Sequence, residues 1–384
     1  MNVPPERSGP LAGLRVVELG GIGPAPFCGM ILSDLGAEGI RIDRPADAGT
    51  ETPTPILLRG RRSVAIDLKS ASGCEVALRL IDTADAVIEG FRPGVTERLG
   101  LGPETCIGRN PRLVYGRMTG FGQEGPLAQE AGHDINYIAI AGALGAIGPR
   151  DGDPVVPLNV VGDMGGGGML LALGLTAALV HARATGEGQV VDAAMTDGAA
   201  LQLAVVYGLL ARGLWRDRRG GNILDGAAPF YRTYRCADDG HVAVGALEPQ
   251  FYAQLLGVLG LTDDPLFAHQ HDRSSWPAMC NRLGELFATR ARDEWTSTFA
   301  GREACVAPVL TLAEAAAHPH NVARGTYVGD DDVIQPAPAP RFHGTPAAPP
   351  RPSRVVGADT DGVLAELGMS SPEIDELRAE GVVA

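Results

Sequence analysis

The sequence has very little lysine: of its 32 basic residues, 31 are arginines and Lys69 is the single lysine. A mechanism that needs a lysine amine, such as a Schiff base or an amine general base, would therefore depend on this one residue. Cysteine is also sparse, with six residues and no Cys-x-x-Cys pair. Such scattered cysteines are typical of reduced thiols and provide no zinc framework. We therefore expect no metal site.

Positive charge is in deficit, because 46 acidic residues outnumber the 32 basic ones and give a net charge of -14. A chain of this charge repels nucleic acids and anionic membrane surfaces. The longest apolar run, Met169 to Val180, is far shorter than the roughly 20 residues of a membrane span. Residues 1–12 have no basic segment before an apolar stretch, and the chain ends in GVVA rather than a Ser-Lys-Leu signal. We expect a cytoplasmic protein that binds neither nucleic acid nor membrane.

The amino-terminal pattern predicts a β-α-β unit. Arg15–Leu19 is an apolar strand, a Gly- and Pro-rich loop and an apolar helix follow it, and Gly39–Asp43 is a second strand. The loop GGIGPAP lacks the third glycine of the dinucleotide fingerprint, so NAD binding is not expected. Strand and helix signals alternate as far as residue 200, which predicts a large α/β domain with a Rossmann-like, doubly wound parallel sheet.

The later patterns divide the rest of the chain. Alternating strands around the turn 237–240, followed by a helix from Pro249, predict a smaller α+β domain. Seven prolines between Pro336 and Pro352 exclude regular helix and predict an extended strap. The predicted parts are a large α/β domain over residues 1–200, completed by 330–384; a helix and linker over 201–225; a small α+β domain over 226–320; a Pro-rich return linker over 321–352; and a C-terminal segment over 353–384 that packs on the large domain.

Asp163 lies between an apolar stretch and four glycines that precede an apolar helix. A carboxylate there would lie near the positive end of the helix dipole, and the glycines would let a ligand reach backbone N–H groups. The structural alternative is that Asp163 only caps the helix and that the glycines permit close packing. The residues alone leave both interpretations open.

His133 and Glu248 are the two other candidates for proton chemistry. His133, in GHDINY, has the setting of a general base whose tautomer is held by a neighbouring carboxylate, although a helix cap would explain it equally. Glu248 follows a strand and precedes Pro249 at a predicted helix start, where an acid is favourable on structural grounds alone. The functional alternative is that Glu248 orients a histidine of another domain or subunit.

Basic residues cluster in the segment Leu58–Lys69 (LRGRRSVAIDLK), and Arg44 and Arg92 join them. In an acidic protein, such a cluster near predicted strand ends suits a ligand with several phosphate groups. The structural alternative is a basic face that pairs with the surplus acids.

Together these segments closely resemble the racemase branch of the family III CoA-transferase superfamily, over nearly the whole chain. The similarity is carried by LRVVELGGIGPAPF, IRIDRP, RSVAIDLK, GFRPGV, NPRLVYGRMTGFGQ, AGHDINY, GQVVDAAM, LDGAAPFYRTYR and VGALEPQFY. The segments GHDINY and EPQF are specific to the racemase branch. The resemblance implies an isomerase that interconverts the 2R and 2S forms of 2-methylacyl-coenzyme A (CoA) thioesters, with no cofactor beyond the CoA of its substrate.

The resemblance also implies roles for particular residues. His133 and Asp163 would be the two acid/base groups, and Glu248 would support His133. The nucleotide and phosphates of CoA would be held by Arg44, Ile66, Asp67, Leu68, Lys69 and Arg92. The thioester site would be lined by Gly132, Asp134, Ile135, Asn136 and Tyr137. An interlocked homodimer is implied as well, with each active site between the large domain of one subunit and the small domain of its partner.

The residue types suit this reaction, because removal of a proton α to a thioester needs a base on one face and an acid on the other. Gly162 and Met164 flank Asp163, however, where racemases usually have Ala and Phe. A Gly-Asp pair also occurs in CoA-transferases, in which the matching Asp forms a mixed anhydride with the acyl group. A CoA-transferase that uses Asp163 as its nucleophile is therefore the alternative function, and a catalytically silent CoA-binding scaffold is the third.

Overall fold

The structure, a computed structural model, describes residues 8–52, 54–329 and 333–384. Residues 1–7, which belong to the segment inspected for a targeting signal, and 330–332, which belong to the predicted return linker, lie outside the described residues. The strands of the described chain are β1 (Arg15–Leu19), β2 (Glu38–Asp43), β3 (Arg61–Ala65), β4 (Ala86–Glu89), β5 (Val114–Thr119), β6 (Val190–Ala194), β7 (Tyr231–Arg235), β8 (His241–Gly245), β9 (Val306–Val309), β10 (Tyr327–Gly329) and β11 (Ile334–Pro336).

The helices follow the strands in alternation over the first half of the chain. They are α1 (Pro24–Asp34), α2 (Ala71–Ile81), α3 (Val95–Arg98), α4 (Pro103–Arg109), α5 (Asp134–Ile140), α6 (Ala143–Ala146), α7 (Leu170–Thr185), α8 (Met195–Gln202), α9 (Ala204–Ala211), α10 (Pro249–Leu259), α11 (Trp276–Phe287), α12 (Arg292–Phe299), α13 (Leu312–Ala317), α14 (Pro319–Arg324), α15 (Thr360–Glu366) and α16 (Ser371–Ala379). A π-helix, Val160–Met169, runs directly into α7.

Six strands form one parallel sheet in the order β3-β2-β1-β4-β5-β6. Their register pairs Val17 with Ile40 on one side and with Val87 on the other, which places the strongly apolar centre of β1 in the middle of the sheet. Parallel strands need a crossover between them, and most of the predicted helices supply it. The predicted α/β class with a doubly wound sheet is confirmed.

Both faces of this sheet are buried, because successive side chains of a strand point to opposite faces. In β1, Val17 and Leu19 pack against α2, α15 and α16, whereas Val16 packs against α1 and α7. Helices on both faces explain why the strands are near-continuous apolar runs rather than alternating ones. The described part of the C-terminal segment thus completes the core of the same sheet that the amino-terminal residues begin.

The chain divides into two units. The large unit comprises the described residues of Met1–Ala141, Leu158–Gln202 and Tyr327–Ala384, and the small unit comprises Gly142–Pro157 and Leu203–Thr326. In the small unit, β7, β8 and β9 form an antiparallel sheet. Its core is rich in aromatic rings, which include an edge-to-face pair of Phe230 and Trp276 with centroids 5.8 Å apart. Such pairs add to the energy of burial alone.

One segment lies in a different unit from the predicted one. Residues 142–157 were expected in the large domain, but they belong to the small unit. The reason is packing against 218–221: Arg219 donates a hydrogen bond to the carbonyl oxygen of Gly152, and Gly220 leaves no room for a side chain beside Arg150. These contacts join segments far apart in sequence, so the composition of either one does not reveal them.

The helical run Val160–Thr185 is longer than the predicted apolar run and, by length and composition, could cross a membrane. Its position in the fold is that of a core helix, because Leu171, Leu175 and Leu179 are buried against the sheet. Leu171 and Leu175 occupy the space that a side chain at Gly116 of β5 would need.

The contact of the π-helix with α8 gives a test of the fold. A Cβ atom on Gly198 would lie 1.9 Å from the carbonyl oxygen of Gly166, so Gly198→Ala forces two backbones apart. We expect this variant to lose about 1–3 kcal/mol of unfolding free energy in urea titration. Gly284→Ala in α11 is the matched control, because no atom lies within 4 Å of its added methyl group. The control should be neutral or stabilising, and equal losses in both variants would contradict the packing described here.

Candidate active site

The carboxyl ends of the six parallel strands form one edge of the sheet, and the candidate residues of the large unit gather there. At the centre of the sheet, β1 and β4 are neighbours. The strands that follow β1 along the chain, β2 and β3, lie on one side of this pair, and those that follow β4, β5 and β6, lie on the other. Ligands of doubly wound sheets bind in the crevice at such a switch point. The loops that follow β1 and β4 approach each other closely, since a Cβ on Gly90 would lie 3.2 Å from that of Ala25.

Asp163 lies on the π-helix, three residues after its start, rather than at a helix N-cap as one interpretation had it. The wider turn is visible in the hydrogen bond from the Met164 N–H to the carbonyl oxygen of Asn159, five residues earlier, at 3.2 Å. π-Helical turns are rare and frequent at functional sites. Asp163 is still in the first turn, where the helix dipole favours a negative charge.

The four glycines that follow Asp163 and Met164 serve close packing. A Cβ on Gly166 would lie 2.8 Å from the Ala199 backbone of α8, and Cβ atoms on Gly167 and Gly168 would press on Pro24 at 3.0 and 2.7 Å. The structural interpretation of these glycines is therefore correct. Their packing holds the π-helix between α8 and the start of α1, and this fixes the position of Asp163.

The carboxyl group of Asp163 is half-buried and hydrogen-bonded. The Asn159 side-chain amide donates to its Oδ2 at 3.1 Å, and the loop after β1 borders the same oxygen, since a Cβ on Gly23 would lie 3.4 Å from it. Burial raises the pKa of Asp163 above its ordinary value, and the negative charge of Asp134 adds to this. The Asn159 hydrogen bond and the nearby His133 act in the opposite direction on this pKa, but the net shift is upward.

His133 immediately precedes α5 and is exposed. Its backbone is tied to Asn136, whose side-chain oxygen accepts from the His133 N–H at 3.1 Å and whose N–H donates to the His133 carbonyl at 2.8 Å. These bonds fix the backbone and leave the imidazole outside the cap. His133 also acts on Asp163, because its charge lowers the pKa of the Asp163 carboxyl.

Asp134 does not hold the His133 imidazole, in contrast to the expectation for the neighbouring carboxylate. It is buried, and its Oδ1 accepts a 2.6 Å hydrogen bond from the backbone N–H of Asp163. The absence of a side chain at Gly162 makes this approach possible, since a Cβ there would lie 2.5 Å from Oδ1. Asp134 therefore anchors the π-helix to α5, a partnership that its place beside His133 in the sequence does not suggest.

Gly132 and Tyr137 form the wall next to these groups. The Tyr137 hydroxyl donates to the Gly132 carbonyl oxygen, and its ring packs edge-on against Phe121 with centroids 4.9 Å apart. Burial raises the pKa of Tyr137, the charge of Asp163 raises it further, and Arg92 lowers it. Tyr137 is thus within electrostatic reach of both a predicted catalytic group and a predicted CoA-binding group. Ile135, by contrast, is exposed.

The predicted CoA-binding residues follow three strands of the parallel sheet: β2 and β3, which are neighbours, and β4, which β1 separates from β2. Arg44 comes directly after β2, Ile66–Lys69 directly after β3, and Arg92 three residues after β4. Arg44, Lys69 and Arg92 have exposed side chains, so three cations face solvent along one edge of the sheet. Arg44 also bonds Asp47 at 2.9 Å.

The segment Ile66–Lys69 has a fixed backbone. The N–H of Ile66 donates to Asp43 at 2.9 Å, and the N–H of Asp67 donates to Val382 at 2.8 Å. The Asp67 side chain accepts from the Lys69 N–H at 3.0 Å, and the carbonyl oxygen of Leu68 accepts from the Cys74 thiol. The first three residues are thus held by the protein itself, which leaves Lys69 as the side chain available to an anion.

The other arginines of the basic cluster have structural partners. Arg59 pairs with Asp34 at 2.5 Å and Arg61 with Glu18 at 3.4 Å, and all four side chains are buried. Arg62 bridges Glu38 at 3.1 Å and Glu366 at 2.9 Å. The interpretation of the cluster as a phosphate site is therefore wrong for these three arginines and remains for Arg44, Lys69 and Arg92.

Glu248 belongs to the small unit, where it is the exposed N-cap residue of α10. Burial raises the pKa of the Cys305 thiol, and the negative charge of the Glu248 carboxylate adds to this rise. The predicted support of His133 by Glu248 is not tested by these contacts and stays a prediction.

Asn159 is the residue of this site that the sequence did not point to. It donates to Asp163 from four residues earlier, a spacing that places two side chains on one face of a helix. The four-residue spacing of Asn159 and Asp163 had no meaning in the sequence, because the segment before the glycines contains no helical pattern. Among the described residues, no group of three or more His, Cys, Asp or Glu side chains could hold a metal ion.

Comparison with known proteins agrees with this arrangement. Residues 11–360 match the model of CoA-transferase family III, and the chain belongs to that family. It is 45% identical to alpha-methylacyl-CoA racemase of Mus musculus and 44% identical to that of Homo sapiens, each time over 97% of both chains. A CAIB/BAIF family protein from Brucella suis has the same fold, with a TM-score of 0.81, 28% identity, and coverage of 94% of this chain and 100% of that one. The predicted family is confirmed.

The raised pKa of Asp163 gives a test on stability. A carboxyl whose pKa is higher in the folded protein than in the unfolded chain destabilises the fold once it is ionised. We expect Asp163→Asn to raise the free energy of unfolding above the folded-state pKa, and the gain to vanish as the pH falls to the ordinary aspartate value of about 3.9. Urea titrations at several pH values measure this. A gain that does not change with pH would mean that the charge of Asp163 is not its source.

Proposed function

We propose that the enzyme interconverts the 2R and 2S epimers of 2-methylacyl-CoA thioesters by removing and returning the proton at C2. The observation that carries the proposal is that two acid/base residues meet at one site: the backbone N–H of Asp163 donates to Asp134 at 2.6 Å, and His133 is the residue next to Asp134. The 45% identity to alpha-methylacyl-CoA racemase over 97% of the chain supports the same reaction.

Each group has a part in the proton transfer. One of the pair takes the proton from C2, which leaves an enolate of the thioester, and the other gives a proton to C2 from the opposite face. The raised pKa of Asp163 keeps its protonated form accessible nearer neutral pH, so the carboxyl can serve as the acid in one direction and the base in the other. The Asn159 hydrogen bond keeps that carboxyl in one orientation. The reaction consumes no co-reactant, and the absence of a cofactor stays a prediction.

The nucleotide and phosphates of CoA are assigned to the edge of the sheet. Arg44, Lys69 and Arg92 are exposed cations that follow three parallel strands of the same sheet, and phosphate oxygens are favourable partners for such a group. This leaves Gly132–Tyr137, next to the catalytic pair, for the thioester. The cytoplasmic location is proposed on the six scattered cysteines, whose spacing is typical of reduced thiols.

The proposed assembly is an interlocked homodimer, in which Glu248 of one copy supports His133 of the other. The support comes from α9, whose sequence AVVYGLLA is wholly apolar although the fold of one chain buries none of its residues. In the large unit, Leu173 and Val180 of α7 and Leu201 of α8 are also exposed. Exposed apolar residues of this kind, taken on each unit by itself, mark contacts with another protein, and a second copy of the chain is the partner that the proposal requires.

An isotope experiment tests the reaction. A single epimer of a 2-methylacyl-CoA is incubated with the enzyme in deuterated water, with and without a free carboxylic acid as acceptor. We expect the other epimer to form and deuterium to enter C2 without any acceptor. If C2 keeps its protium and CoA moves to the acceptor, Asp163 is a nucleophile and the enzyme is a CoA-transferase. Binding of the thioester with neither result would favour the scaffold.

Single-base variants separate the two roles. Asp163→Asn and His133→Ala should each slow epimerisation by about 10²–10⁴-fold, the usual contribution of a positioned acid or base. Each variant should still exchange the C2 proton of one epimer, because one base remains, and the two variants should exchange opposite epimers. Asp361→Asn, in the exposed pair with Arg378, is the control and should keep full activity. Exchange of the same epimer by both variants would contradict the two-base assignment.

A charge on α9 tests the assembly. Val205 is 64% exposed, and Val205→Glu should weaken the dimer because it places a carboxylate in the proposed contact. Leu312→Glu is the matched control, since Leu312 is 90% exposed at the start of α13. Sedimentation velocity over a concentration series measures the mass. We expect a dimer for the parent and the control and a rising share of monomer, with lower activity, for Val205→Glu. A monomeric parent with full activity would exclude the proposed role of Glu248.

A further inference from the structure

A buried arginine bonds both ends of the loop that carries Arg92. Arg117 of β5 lies beside Glu89, the last residue of β4, and donates to its Oε1 at 2.8 Å. The same guanidinium donates to both oxygens of Glu97 in α3, at 2.7 and 3.3 Å. Glu89 precedes the loop 90–94 and Glu97 follows it, so the Arg117 guanidinium links the two ends of the loop.

Other contacts also hold the loop: the Gln129 side-chain amide donates to the carbonyl oxygen of Pro93 at 3.3 Å, and the N–H of Val95 donates to that of Arg92 at 3.1 Å. The second oxygen of Glu89 accepts from the N–H of Phe91 at 2.8 Å, which turns the chain immediately before Arg92. Gly94 then has a left-handed backbone with φ of 82°, and α3 begins after it. The first turn depends on Glu89, which Arg117 bonds directly, and the helix after the second turn contains Glu97, which Arg117 also bonds. The Arg92 side chain itself is exposed.

Burial of the charges of Glu89 and Arg117 destabilises the fold unless each charge keeps its partners. Glu89 is fully buried and Arg117 is 7% exposed, and burial raises the pKa of Glu89. A buried carboxylate needs its cation and its hydrogen bonds, and removal of one partner leaves an uncompensated charge. Lysine could not replace Arg117 here, because a single ammonium group cannot form the planar bidentate contact to Glu97 together with the bond to Glu89.

We propose that Arg117 is the positioning residue for Arg92, and that it thereby sets the affinity of the enzyme for the phosphorylated part of CoA without taking part in proton transfer. This inference rests on the proposed function only in so far as Arg92 binds CoA. It predicts that damage to the network affects the binding of the nucleotide and not the chemistry at C2.

Binding of free CoA, measured by calorimetry without turnover, is the first test. Arg117→Lys should weaken CoA binding about tenfold, the scale of a lost charge-assisted contact. Arg109→Lys is the matched control, because Arg109 also bridges two acids, Asp82 and Glu75, but on the surface of α4. The control should bind CoA like the parent. Since no reaction is needed, this result is independent of whether the enzyme proves to be an epimerase or a transferase.

A second variant, Glu97→Ala, keeps the test decisive if Arg117→Lys folds poorly. Glu97 is partly exposed, so Glu97→Ala removes one end of the network and should leave the core intact. It should raise KM for the acyl-CoA a few-fold with little change in kcat, and leave KM for the matching acyl-pantetheine, which lacks the nucleotide, unchanged. An equal rise for both substrates would overturn the proposal.

A double-mutant cycle identifies the route. If Arg117 acts through Arg92, the variant with Arg92→Ala and Glu97→Ala together should bind CoA no more weakly than Arg92→Ala alone. Additive losses would show that the network acts on CoA by another path, and the assignment of Arg117 as the positioning residue of Arg92 would then be wrong.

Discussion

The contact between Gly166 of the π-helix and Gly198 of α8 determines where the reactive carboxyl lies. No side chain separates the two backbones, so the π-helix is pressed between α8 and the first turn of α1. Its first turn then meets α5, where Asp134 receives the N–H of Asp163. Asp163, Asn159 and the residues around His133 thus owe their proximity to close backbone packing, which tolerates no added methyl group. The position of the reactive carboxyl therefore depends on glycines whose own role is packing.

The two acid/base groups differ because their surroundings differ. His133 precedes α5 in the open, with its backbone held by Asn136 and its ring in solvent. Asp163 is half-buried beside a second carboxylate, which raises its pKa. Burial and a like charge act in the same direction, and the amide of Asn159 moderates them. A reaction with one acid and one base requires two groups in unlike surroundings, and one edge of the sheet supplies both.

The sequence predicted those features that follow from local pattern. The strand Arg15–Leu19 and the helix Pro249–Leu259 have the predicted bounds, because apolar runs and a proline at the helix start act within a few residues. It could not predict the π-helix, whose wide turns come from packing of glycines against α8. The partner of Asp134 was equally hidden, since Gly162 makes room for it only once α5 and the π-helix have met. His133 and Asp163 were recognised from their motifs, and their proximity came from the fold.

The arginines show most plainly why charge patterns alone mislead. Arg59, Arg61 and Arg117 are buried, and each uses its planar group to satisfy several acceptors at once: Arg61 donates to the carbonyl oxygens of Arg59, Pro26 and Leu57 while it pairs with Glu18. A lysine could not do this, so an almost lysine-free chain can place its cations inside as well as outside. A cation that binds a ligand must instead be sought among the exposed arginines and Lys69. Arg92 and Arg117 illustrate the two kinds of position. The Arg92 side chain is exposed to solvent, whereas the buried Arg117 side chain bonds both ends of the loop that carries Arg92.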